Sequence, residues 1–177
     1  MYILTEPFKT ATEMTHLKRT YTIECYDWKE NKLEFSDTRG NQFRLQFKGN
    51  KTIVHGKTAS GKSLIVQKLQ SIDGIGNVRM FDFKPYSIDN IFILTSHNKD
   101  EYILGKVKQK LIIIDRGDLM IDEEMAELIN DDFNTNRYLI FARKPLGIDI
   151  SPNHFGKLVN HDGIIELEYD FDVKGWR

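Results

Sequence analysis

Two glycines, a lysine and a hydroxyl residue stand in the order Gly56-Lys57-Thr58-Ala59-Ser60-Gly61-Lys62-Ser63, the spacing G-x-x-x-x-G-K-[ST]. Each fixed position has a task around a polyphosphate. Gly56 and Gly61 let the backbone bend and come close to a ligand where a side chain would block it. The amides of Gly56, Lys57, Thr58, Ala59, Ser60, Gly61, Lys62, Ser63 and Leu64 supply N–H donors, Lys62 reaches the β- and γ-phosphates, and the Ser63 hydroxyl ligates Mg²⁺.

This chemistry requires a strand that delivers the chain to the bend and a helix that leaves it. Thr52, Ile53, Val54 and His55 are β-branched and apolar enough for a short buried strand. Leu64, Ile65 and Leu69 then recur at helical spacing, with Gly74 and Gly76 as stop signals. The first amides of such a helix lack intrahelical acceptors, and the positive end of its dipole favours an anion.

The rest of the chain must build the sheet around that unit. Residues 1–4 suit a short edge strand, and residues 6–19 a loop or short helix. Residues 21–27, 32–36 and 42–48 are β-type runs separated by turn-rich segments, which predicts an antiparallel meander leading into the strand at 52. In the last run Phe43, Leu45 and Phe47 share one face, leaving Arg44, Gln46 and Lys48 on the other. Residues 78–83 and 91–95 read as strands joined across 84–87. Asn98 with Glu101 predicts a capping box and a helix to about Lys108. Leu111-Ile112-Ile113-Ile114-Asp115 is a continuous apolar run ending in an acid, as a strand buried on both faces should be. Ile121, Met125, Leu128 and Ile129 mark the apolar stripe of an acidic helix. Residues 138–142 form another central strand, and residues 157–159 and 164–169 a closing hairpin around His161-Asp162-Gly163. Alternating strands and helices predict an α/β fold: a mainly parallel sheet flanked by helices, with an N-terminal antiparallel β-meander and a C-terminal β-hairpin. One domain is expected over 1–177, with a β-rich part at 1–50, a nucleotide-binding core at 51–150 and a hairpin and tail at 151–177.

Composition agrees with a globular chain. Apolar residues make up 40% and charged residues 29%, with four prolines. No apolar run reaches the ~18 residues of a membrane span and no signal-peptide core opens the chain, so a cytoplasmic protein is expected. The lone Cys25 excludes an internal disulfide framework and a cysteine zinc site, and suits a reducing compartment and a core position. Residues 1–70 hold 12 Lys and Arg against 7 Asp and Glu, whereas the remainder holds 13 against 19. Eight of those acids lie between Asp115 and Asp132, opposed only by Arg116. Such polarity favours head-to-tail assembly or an anionic partner. The basic face of the meander, with Arg39 and Lys51 nearby, would suit a nucleic-acid backbone, although no aromatic residue on it can stack a base.

With Asp115 closing its apolar strand 52 residues after Ser63, the chain resembles a compact ATPase of the phosphate-loop NTPase superfamily. Gly56–Ser63 resembles Walker A, and residues 111–115 resemble Walker B. The separation of the motifs is similar to the branch that includes AAA-type and ABC-type domains. The resemblance implies that Asp115 holds Mg²⁺ beside Ser63. It implies that Arg143, at the end of the strand over 138–142, senses or stabilises the γ-phosphate in cis or across a subunit boundary. Such ATPases carry Glu directly after the Walker B Asp; here that position is Arg116, and Asp118 is the nearest acid to replace it. Ala59 stands where many relatives have a third glycine, and no Leu-Ser-Gly-Gly signature is present. Guanine-reading motifs are absent too, since Asp115-Arg116-Gly117-Asp118 is not D-x-x-G and Asn98-Lys99-Asp100-Glu101 is not N-K-x-D. The expectation is therefore ATP–Mg²⁺ binding with slow hydrolysis stimulated by a protein partner or by homo-oligomerisation, in a process that includes DNA on one reading. A non-hydrolysing nucleotide switch and a small-molecule kinase are the alternatives. Against the kinase, about fifty residues precede the loop and no arginine-rich lid follows it.

Overall fold

Apolar–polar alternation and turn residues divide the chain into short strands, and pairings between distant strands assemble them. The computed structural model describes residues 23–37, 39–56, 61–73, 78–81, 84–143 and 146–171. The edge strand expected at 1–4, the segment 6–19, the loop centre 57–60 and the tail 172–177 lie outside them. In chain order the elements are β1 (Ile23–Glu24), β2 (Tyr26–Asp27), β3 (Lys32–Ser36), β4 (Gln42–Gln46), β5 (Lys51–Val54), α1 (Lys62–Asp73), β6 (Val78–Phe81), β7 (Lys84–Ser87), β8 (Ile91–Leu94) and α2 (Lys99–Ile103). There follow β9 (Leu111–Ile114), α3 (Gly117–Met120), α4 (Glu123–Asp131), β10 (Arg137–Phe141), a 3₁₀ turn (Pro152–His154), β11 (Phe155–His161) and β12 (Ile164–Tyr169).

The fold differs from the expected mainly parallel sheet flanked by helices. Among the described residues, nine strands form one mixed sheet in the order β2-β3-β4-β12-β11-β5-β10-β9-β8, curled until it is nearly a closed barrel, and helices are few. A second, three-stranded sheet has the order β1-β7-β6. The correction has a definite cause. The closing hairpin β11–β12 is not an appendage: β12 pairs in parallel with β4, and β11 pairs in parallel with β5. It therefore stands between the meander and β5, welding both into one sheet. Its turn carries Asp162 and Gly163 at φ +51° and +88°, the left-handed pair that a tight two-residue hairpin requires.

The two ends of the curled sheet meet at a seam. The Asn90 side-chain amide donates to the Tyr26 carbonyl, and Arg137 Nη1 donates to the Tyr26 hydroxyl at 2.8 Å and to the Trp28 carbonyl. The Arg137 guanidinium also lies 4.3 Å from the centre of the Trp28 ring. Inside the curl, Phe35, Phe43 and Leu45 meet Ile113, Leu139 and Phe141 around α1, which buries Ile65, Leu69 and Ile72 there. Each such side chain contributes about 1.5–3 kcal/mol of burial. On the outer face Ile112, Ile114, Tyr138 and Ile140 pack against Tyr102 of α2 and Met125 and Ile129 of α4. Among the described residues, helical cover outside is thus confined to one part of the sheet.

Local departures have local reasons. Residues 84–87 are a strand, not a connection: β7 pairs with β6 antiparallel and with β1 parallel. Asn98 stands at the N-cap position of α2, but its side chain does not cap the helix, which ends at Ile103 and not near Lys108. Its side chain accepts from Thr95 N at 2.7 Å and donates to the Ile93 carbonyl at 2.9 Å, and Gly105 at φ +67° follows the end of the short helix. Capping falls instead to Asp122, whose carboxylate accepts from Met125 N at 3.0 Å at the start of α4. Leu128, expected on the apolar stripe, is exposed, while Met125 and Ile129 are buried.

Candidate functional site

β5, β9 and β10 run parallel with Ile53, Ile140 and Ile114 level with one another. Their carboxyl ends therefore emerge together at one edge of the sheet. Val54 of β5 leads to Gly56 at φ +131°, Ile114 of β9 leads to Asp115, and Phe141 of β10 leads through Ala142 to Arg143. Gly61, at φ +86°, opens α1, and the Ile65 amide bonds back to its carbonyl at 3.2 Å.

These ends surround a cavity of about 250 Å³ lined by Lys62, Ser63, Asp115, Arg116, Asp118, Phe141, Ala142 and Arg143. Six of those residues carry chemistry, and they come from three separate stretches of the chain. Lys62 Nζ donates to the Gly56 carbonyl at 2.7 Å, so the lysine spans the loop from exit to entrance. Burial and then the Arg143 charge push the Lys62 ammonium below its ordinary pKa, with Asp115 acting in the opposite direction. Both charges are thus felt at Lys62. Among the described residues, the side chains of Asp115, Arg116, Asp118 and Arg143 make no hydrogen bond or ion pair with one another.

Of the sequence-predicted charged residues, Lys62, Asp115, Asp118 and Arg143 line this one cavity. Leu64 lies in the first turn of α1 and is 38% exposed; Lys57, Thr58, Ala59 and Ser60 lie outside the described residues. Arg116 is the addition: in the sequence it stands only where a glutamate is expected, whereas here it forms part of the wall. His55 sits just before the loop, where its Nε2 meets Asp170 Oδ2 at 2.5 Å and its amide donates to the Gly156 carbonyl at 2.9 Å. Both contacts tie the end of β5 to the closing hairpin. Asp170 has no signal in the sequence, since 115 residues separate it from His55.

The donor set suits Mg²⁺. Ser63 and Asp115 offer hard oxygen ligands, and Mg²⁺ in nucleotide sites takes one or two such protein ligands with water and phosphate completing the shell. Among the described residues no group of three or more His, Cys, Asp or Glu side chains is gathered for a metal, which a two-ligand magnesium site does not require.

Two other surfaces compare less well. A cavity of about 580 Å³ beside the meander is lined by Glu24, Asp27, Glu30 and Glu34 as well as Lys32 and Arg44. It is larger, but Lys62, Ser63 and Asp115 are not among its lining residues. On the basic face, Arg44 lies 3.4 Å from Glu34, Lys32 pairs with the same carboxylate, and Lys48 lies 4.3 Å from the centre of the Tyr169 ring. Much of that charge is answered locally. None of the described helices is long and apolar enough to cross a membrane.

No protein-family model, curated protein or solved structure matches the chain.

Proposed function

We propose that the chain binds an Mg²⁺–nucleoside triphosphate, ATP in preference, and hydrolyses it slowly, with turnover raised by a protein partner or by self-assembly. The observation that carries this reading is the meeting of Lys62, Ser63, Asp115, Asp118 and Arg143 around one cavity from three distant stretches of sequence. In it, loop amides and Lys62 hold the phosphates, and Ser63 and Asp115 hold Mg²⁺, which when bound screens phosphate charge. Asp118 is the carboxylate available to take a proton from water. Arg143 meets negative charge on the transferring group. The preference for adenine rests on the absence of guanine-reading motifs.

Calorimetry on Lys62→Ala tests the reading. Loss of a charge-assisted phosphate contact should weaken ATP binding by about tenfold or more, and unchanged affinity would refute the site. A second reading, a nucleotide-binding switch without turnover, is favoured by Arg116 standing beside Asp115. Phosphate release measured against protein concentration, with and without DNA, separates the two. Release that rises with concentration or with DNA supports the hydrolase and identifies what stimulates it. Tight ATP binding with no release under any of these conditions supports the switch. Release that depends on an added acceptor would mark a kinase instead.

A further inference from the structure

Among the described residues, Arg116 is the one charged residue of the cavity wall that the proposed chemistry leaves unused. It follows Asp115 directly, and its backbone is left-handed at φ +54°, ψ +53°, a conformation that a bulky non-glycine residue adopts at a cost and that concentrates at functional sites. Its side chain is exposed and makes no ion pair with another described residue, although Asp115 and Asp118 line the same space. A guanidinium cannot serve as a base for water at any physiological pH. It does offer planar N–H donors that match phosphate oxygens.

We infer that Arg116 binds the terminal phosphate and makes the site discriminate a nucleoside triphosphate from a diphosphate. The inference rests on the reading of the cavity as a nucleotide site and assigns its selectivity. The placement also provides an output. The Arg116 carbonyl accepts the Leu119 amide at 2.8 Å and the Met120 amide at 3.1 Å, so α3 is built directly on the residue that holds the phosphate. Leu119 on that turn is 65% exposed. Capture of a third phosphate therefore orders the turn that presents Leu119, and release loosens it.

The test compares ATP and ADP binding, each with Mg²⁺, in the wild type, Arg116→Asn and Arg116→Lys. Asparagine accepts the left-handed backbone and removes the guanidinium, so thermal unfolding of Arg116→Asn should match the wild type. Its ATP-over-ADP preference should fall about tenfold, through weaker ATP binding alone, and Arg116→Lys should retain part of the preference. Amide exchange in residues 117–120 should slow with ATP but not with ADP in the wild type, and with neither in Arg116→Asn. An ATP-to-ADP ratio unchanged in Arg116→Asn, with both nucleotides still bound, would overturn this inference alone. A wild type that binds neither nucleotide would overturn it together with the nucleotide reading beneath it.

Discussion

Asp37 is a buried carboxylate that the proposed chemistry does not use, and it ties the site to the meander. Lys68 of α1 reaches it at 3.2 Å, and it accepts from the Arg39 and Asn41 amides at 2.9 and 3.0 Å and from the Asn41 side chain at 3.0 Å. Burial raises its pKa, but these donors outweigh burial and the net shift is downward. A lowered folded pKa means that the stabilisation is present above the ordinary carboxylate value and is lost as pH falls through the lower folded one. Asp37→Asn should therefore lose about 1–3 kcal/mol at neutral pH by leaving Lys68 without its charge partner. Denaturant titrations of both proteins should show that gap narrowing as the pH drops below ~4. A gap independent of pH would mean that the ion pair and its hydrogen bonds carry none of the difference. Lys68 has only helical spacing in the sequence, and Asp37 only a turn composition; neither reveals the other. Lys62, Ser63 and Asp115 are different, because a loop motif and an apolar strand ending in an acid mark them locally as candidates.

Among the elements, the closing hairpin is the most informative, because strand type and turn are legible in it while its place in the sheet is not. Gly156 in β11 explains how it fits between its neighbours. A β-carbon there would stand 2.6 Å from the Glu168 carbonyl oxygen, a backbone atom that cannot turn aside. The Gly156 carbonyl meanwhile accepts the His55 amide, one residue before the loop. Gly156→Ala should cost about 1–3 kcal/mol as an overpacked site and weaken the proposed ATP binding by disturbing the end of β5. Thermal unfolding with calorimetry checks both effects; a variant as stable as the wild type would show that the strands separate without penalty. The misread elements share a cause. Asn98 and Glu101 have the spacing of a cap, but the Asn98 side chain finds backbone partners at Thr95 and Ile93 first, a local competition that composition cannot rank.

Closure of the sheet is a property of the chain as a unit. Arg137 begins β10, yet its guanidinium reaches across the seam to Tyr26 and Trp28. Arg137→Ala should leave the Tyr26 hydroxyl and the Trp28 carbonyl without that donor and lower stability by about 1–3 kcal/mol. Amide exchange should quicken in β2 and β3 more than in β9, which is buried on both faces. Uniform quickening would mean that the seam and the centre of the sheet open together.

What could be read without coordinates was whatever is written in contiguous residues: the phosphate-loop spacing, the doubly buried run of β9, the alternating face of β4 and the hairpin turn at Asp162-Gly163. Backbone conformation and side-chain periodicity act over a few residues, so short stretches suffice to specify them. Which strands become neighbours was decided only in three dimensions. The pairing of β12 with β4 and of β11 with β5 joins segments more than a hundred residues apart. That choice depends on which apolar faces can be buried together once the sheet curls around α1, and no local pattern encodes it. The same packing turned Arg116 from a missing carboxylate in a motif into a cation on the wall of a cavity.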